Sequence, residues 1–99
     1  MQYARAVARE FAPERIVLFG SHARGKPGPD SDVDLLVIMS CAGKPVRQAI
    51  AIRHRLPASF PLDLIVRTPD QIKQRLAWDD FFLKEIMGKG EVLYEAARA

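Results

Sequence analysis

Ile16-Val17-Leu18-Phe19-Gly20-Ser21-His22-Ala23-Arg24-Gly25, then a Lys/Pro/Gly/Asp loop, then Ser31-Asp32-Val33-Asp34-Leu35-Leu36-Val37-Ile38-Met39 is the stretch whose reading decides the fold. Two apolar runs of strand length flank a turn bounded by glycines, and carboxylates occupy alternate positions where the second run opens. Residues two apart in a strand share a face and lie about 6.5 Å apart, so Asp32 and Asp34 can lean toward the same cations. Magnesium favours a few carboxylate oxygens, water and substrate phosphates. Two such ions about 4 Å apart can clamp both oxygens of an in-line phosphoryl displacement. Two aspartates make a thin cage, so a third acid is sought. Asp63 supplies it, an acid inside the apolar run Leu62-Asp63-Leu64-Ile65-Val66, where a lone buried carboxylate would be costly. If that run pairs beside the second strand, about 4.8 Å away, Asp63 joins the other two.

The glycine-bounded turn supplies the complementary half. Gly20 permits close backbone approach or an unusual dihedral. Ser21 offers a hydroxyl and a helix N-cap, and exposed N–H groups there favour phosphate oxygens. Arg24 adds a cation. Each part has a plainer meaning alone: an Asp-x-Asp is commonly a strand-edge or capping feature, a Gly-Ser is usually a turn, and Asp63 could be an edge-strand acid. The parts gain weight together, because turn, cation, paired acids and third acid fall in the order one mechanism needs.

Gly20-Ser21, Ala23-Arg24-Gly25, Ser31-Asp32, Asp34-Leu35 and the distant Asp63, with the closing Gly90-Glu91-Val92-Leu93-Tyr94-Glu95, resemble the minimal nucleotidyltransferases of the DNA polymerase β superfamily. The resemblance spans nearly the whole chain. It implies a small mixed α/β (α+β) fold of the polymerase-β type, with one sheet packed by helices. It gives Asp32 and Asp34 metal-ligand roles, Asp63 the third-acid role, and Gly20, Ser21, Arg24 and Ser31 the nucleotide-binding roles. It further implies two Mg2+ ions, ATP as substrate, and transfer of AMP to a hydroxyl with loss of pyrophosphate. Similar proteins are antitoxins that adenylylate a tyrosine of a HEPN-domain toxin, which makes a HEPN toxin the expected partner and a type VII-like antitoxin the expected role. Two alternatives stand beside it: a non-catalytic antitoxin that occludes its partner, and an RNA terminal nucleotide-adding enzyme that docks RNA on a basic helix.

The whole chain fits these expectations. Its 99 residues suit one domain, expected over residues 1–99, with no room for a second substrate-gripping domain. Fifteen basic against twelve acidic residues give a net charge of +3, a weak preference for anions. The single cysteine, Cys41, excludes an internal disulfide and, with no signal peptide or membrane-length apolar run, points to the cytoplasm. His22 and His54 form no zinc pattern with Cys41, and both are expected in solvent.

Tyr3, Val7 and Phe11 give one helical face ended by Pro13, and Ile16 to Phe19 is a strand. Lys26 to Asp30 is a loop over the site mouth. The second strand is apolar on both faces beyond its acids, so it should be central. Val46 to Leu56 is helical with Val46, Ala49, Ile50 and Leu56 inward, and its Arg47, Arg53, His54 and Arg55 form a solvated face. Thr68-Pro69-Asp70-Gln71 opens a helix with a capping box that runs to about Trp78. Asp79 or Asp80 caps another helix, which Gly88 stops. Trp78, Phe81 and Phe82 are expected in the core, any excess left exposed being a partner surface. Val92 to Tyr94 can add a last strand.

Overall fold

The computed structural model describes residues 1–25, 28 and 32–97. Ser31 and the expected site-mouth loop, Gly28 apart, lie outside the described residues. The elements run α1 (Gln2–Phe11), β1 (Arg15–Phe19), β2 (Val33–Ile38), α2 (Pro45–Arg55), β3 (Leu62–Arg67), α3 (Pro69–Ala77), α4 (Phe81–Lys89) and β4 (Glu91–Glu95). The strands form one mixed sheet in the order β3-β2-β1-β4. β1 pairs antiparallel with both β2 and β4, while β2 and β3 are parallel and joined by α2. A parallel pair needs such a crossover, because a tight hairpin cannot return the chain in the same direction.

Alternation along the strands divides the core. Ile16, Leu35, Val37, Leu62, Leu64 and Val66 pack on Ala4 and Val7 of α1 and on Ala49 and Ile52 of α2. Val17, Phe19, Leu36 and Ile38 face the other way, against Ile72 of α3 and Leu83 and Ile86 of α4. β2 has buried residues on both faces and lies inside the sheet, as its apolar pattern requires.

Helix ends follow local chemistry. The Gln71 N–H donates to Thr68 Oγ1 at 3.1 Å and the Thr68 N–H to Gln71 Oε1 at 3.0 Å, which closes the capping box expected there. Asp80, not Asp79, caps α4 by accepting the Leu83 N–H at 3.1 Å. Gly88 does not stop α4, which continues through Lys89 and ends at Gly90. A Cβ on Gly90 would overlap the Ile86 carbonyl oxygen and lie 2.6 Å from Val17 Cγ1, so glycine lets the chain turn against β1.

Two expected packings are corrected. Val46 and Ile50 of α2 are each 62% exposed, whereas Ile52 is fully buried. At 3.6 residues per turn, Ile50 points about 160° away from Ile52. The inward stripe is Ala49-Ile52-Leu56. Trp78, Phe81 and Phe82, expected in the core, are 69%, 75% and 54% exposed. Leu83 and Ile86 take the sheet-facing side of α4, which turns Phe81 outward at the α3–α4 corner, while Phe82, one turn before Ile86, sits at the flank of that side with one edge on Phe19 and the rest exposed.

Candidate active site

Asp34 stands where three strands meet. It is the register partner of Phe19 in the antiparallel pair and of Asp63 in the parallel pair. By alternation Asp34 and Asp63 project from the sheet face that carries Leu36 and Phe19, the face covered by α3 and α4. Asp32 lies one residue ahead of β2, exposed, and Asp63 is exposed on β3. The half-buried Asp34 carboxyl is held above the usual carboxylate range, first by burial and then by the negative charges of Asp63 and Asp32. The three acids therefore share one electrostatic neighbourhood.

Gly20 follows β1 directly and has φ +76°, the left-handed region. A Cβ built there would overlap Asp34 Oδ2 and stand 3.2 Å from its Cγ. The carboxylate thus lies across the glycine backbone, and only a residue without a side chain leaves it that space. Beyond Gly20 the chain coils tightly. The Arg24 N–H donates to the Gly20 carbonyl at 3.2 Å and the Gly25 N–H to the His22 carbonyl at 3.2 Å. Residues 21–25 are turns and no regular helix starts at Ser21, so the helix-cap part of its expected role is not met. Ser21 is half-buried and Arg24 exposed. A cleft of about 200 Å³ opens between this turn and α4, lined by Gly20, Ala23, Arg24, Phe82 and Lys89 among others.

His22 departs from expectation. It is half-buried, not solvated, and its electrostatic influence on Asp34 runs against that of the two aspartates. Only its place two residues after Gly20 could have signalled this, since the interaction joins the turn to another strand. Of the nucleotide-binding positions, Gly20 lies against Asp34, Ser21 and Arg24 lie in the same turn, and Ser31 is outside the described residues.

Among the described residues, no three His, Cys, Asp or Glu side chains converge closely enough to hold one metal ion as they stand. Asp32, Asp34 and Asp63 interact through their fields, and like charges without a counterion repel. The donor set fits a hard divalent cation. It is carboxylate oxygen without thiolate, and a cation there would oppose the repulsion that raises Asp34. Among the described residues, no helix is long and apolar enough to cross a membrane.

Comparison with known proteins agrees with this fold. The chain is similar in fold to a Sulfolobus solfataricus protein described as a nucleotidyltransferase, with a TM-score of 0.64, 22% identity, and coverage of 95% of this chain and 75% of that one. It is similar to a toxin–antitoxin structure with AMP-PNP, with a TM-score of 0.63, 18% identity, and coverage of 96% and 73%. A mutant of the toxin–antitoxin pair MntA-HpeT gives 0.61, 14%, and coverage of 96% and 72%. No curated protein sequence matches the chain. The profile of the nucleotidyltransferase domain matches residues 1–93, nearly the whole length, and the chain belongs to the nucleotidyltransferase domain family.

Proposed function

We propose that this protein transfers AMP from ATP to a hydroxyl of a protein acceptor, a tyrosine of a HEPN-type toxin, and so acts as an antitoxin. The observation that carries the reading is the packing of the Asp34 carboxylate over the Gly20 backbone. It joins the acid cluster to the turn suited to phosphates, so a triphosphate on that turn presents its α-phosphate beside the aspartates. Fold similarity to toxin–antitoxin structures, one of them with AMP-PNP, supports ATP as donor and a toxin as partner.

Each residue then has a task. Gly20 and Ser21 present backbone N–H groups and a hydroxyl to phosphate oxygens, and Arg24 adds a cation. Asp32 and Asp34, with Asp63, would hold Mg2+, which when bound neutralises charge on the phosphates. Asp63, opposite Asp34 in the parallel register, accepts the acceptor's proton. The acceptor oxygen forms a bond to the α-phosphorus. The bond from that phosphorus to the bridging α–β oxygen breaks, and pyrophosphate leaves with the electron pair. Catalysis here is chiefly positioning and charge neutralisation.

Labelled ATP tests the reading. Label from the α-phosphate is expected on the acceptor and label from the γ-phosphate in released pyrophosphate. Transfer of the γ-label to the acceptor would make the protein a kinase and overturn the assignment.

A further inference from the structure

Trp78, Phe81 and Phe82 form the largest aromatic exposure among the described residues, at 69%, 75% and 54%. The corner that carries them is held firmly. The Trp78 N–H donates to the Gln74 and Arg75 carbonyls at 3.0 and 3.2 Å, the Asp79 N–H to Leu76 at 3.1 Å, and the Asp80 N–H to Arg75 at 3.0 Å. Asp80 then caps α4. The rings are presented by a pre-organised turn, so little backbone entropy remains to be lost on binding.

The surrounding charges satisfy one another. Arg75 pairs with Asp80 at 3.5 Å, Lys89 with Glu85 at 3.4 Å, and Lys84 with Asp79. The charges beside the rings are thus paired with one another, which leaves apolar contact as the corner's own contribution. The patch is also continuous with the candidate site. Phe82 packs edge-on against Phe19 with centroids 5.8 Å apart, Phe19 is the register partner of Asp34, and Phe82 lines the same cleft as Gly20 and Arg24.

Size separates the possible occupants. Three aromatic side chains at these exposures offer roughly 400 Å² of apolar surface. Two copies meeting ring to ring would bury about 800 Å² in total, below the roughly 1,000 Å² that a specific interface needs. A larger contact must also cover the adjoining cleft rim; in a two-fold dimer that would close the candidate site of both copies, whereas a protein that carries the acceptor hydroxyl is brought to the site by the same contact, with the aromatics at its buried centre.

We infer that the Trp78–Phe81–Phe82 corner docks an apolar segment of the acceptor protein and so delivers its hydroxyl to the aspartates. This rests on the protein-acceptor reading above, and the test separates the two.

Trp78 is the chain's only tryptophan, so its fluorescence reports on the patch directly. The probes are two synthetic peptides with one tyrosine each, flanked by leucines at helical spacing in one and by glycine and serine in the other. The leucine peptide is expected to shift Trp78 emission to shorter wavelength and to saturate, and the glycine–serine peptide is not. Phe81→Ala, at an exposed position where circular dichroism checks the fold, is expected to weaken the leucine peptide about tenfold or more. With MgATP, the leucine peptide should show the lower KM, and Phe81→Ala should move the ratio of the two KM values toward one. Absence of the shift, or a shift that Phe81→Ala leaves intact, overturns the docking inference. A shift that grows with protein concentration alone assigns the patch to a second copy, and an equal shift with a uridine oligonucleotide assigns it to nucleic acid; either result also overturns it. A saturable shift with no AMP transfer to either peptide sustains docking and counts against the transferase reading.

Discussion

Replacing Gly20 by alanine should damage the site more than the fold, and Gly25 provides the control. Both glycines have positive φ, +76° and +71°, so alanine at either position costs about 1–2 kcal/mol of backbone strain. In a chain of this size, each kcal/mol lowers Tm by about 4–8 °C, which puts both variants roughly 4–16 °C below wild type. They differ in what the new methyl meets. At Gly25 it meets nothing within 4 Å among the described residues, whereas at Gly20 it overlaps Asp34 Oδ2 and lies 3.2 Å from Cγ. Asp34 must swing away. A displacement of about 1 Å in a positioning group costs on the order of 100-fold in rate, so Gly20→Ala should lose about that factor while Gly25→Ala retains most activity. Thermal melts by circular dichroism and AMP-transfer rates, measured on both variants, provide the comparison. Equal activities at equal stability would refute the claim that Gly20 exists to seat the Asp34 carboxylate.

Asp34→Asn should raise the melting temperature of the metal-free protein while abolishing transfer. The folded-state pKa of Asp34 lies above its unfolded value, so ionisation opposes folding. That cost appears as pH rises through the range between the two values and is fully present above both. Mg2+ should stabilise wild type and not Asp34→Asn; melts with and without the ion decide this. Asp80 works in the opposite sense. The Leu83 N–H and then Arg75 hold its pKa below the unfolded value, so its contribution is present above that value and is lost as pH falls through the folded one. Asp80→Asn should flatten this acid limb of the Tm–pH profile. In α2, Ile52→Ala should cost about 2–5 kcal/mol and Ile50→Ala within about 0.5 kcal/mol, because Ile52 is fully buried and Ile50 is 62% exposed. Chemical denaturation of both distinguishes the observed stripe from the expected one.

Features that depend on neighbours in sequence were legible. Alternation showed that Asp34 and Leu36 share a face, the two-sided apolar run showed that β2 lies inside the sheet, and Thr68 with Gln71 marked the start of α3. The acid in the third apolar run proved to sit opposite Asp34. Features that depend on distant partners were not. Val46, Ile50 and Ile52 are all apolar, and only contact with the sheet decides which of them turns inward. Gly88 and Gly90 are equally plausible stops until Val17 and the Ile86 carbonyl crowd the second. Trp78, Phe81 and Phe82 look like core by composition, yet Trp78 stands at the end of α3, Leu83 and Ile86 fill the sheet-facing side of α4 opposite Phe81, and Phe82 reaches the sheet only by its edge on Phe19. His22 acquires a place only because the turn after β1 folds back toward β2.

AMP transfer to a protein hydroxyl is proposed to depend on Asp34, seated against Gly20, together with Asp32 and Asp63. The most direct measurement is to co-express this chain with the proposed toxin partner and record the partner's intact mass after incubation with ATP and Mg2+. A gain of one adenylyl group is expected with wild type, and none with Asp34→Asn or without the metal. An unchanged mass in a complex that still forms would contradict the claim and leave a protein that neutralises its partner by covering it, as would a gain that persists in Asp34→Asn.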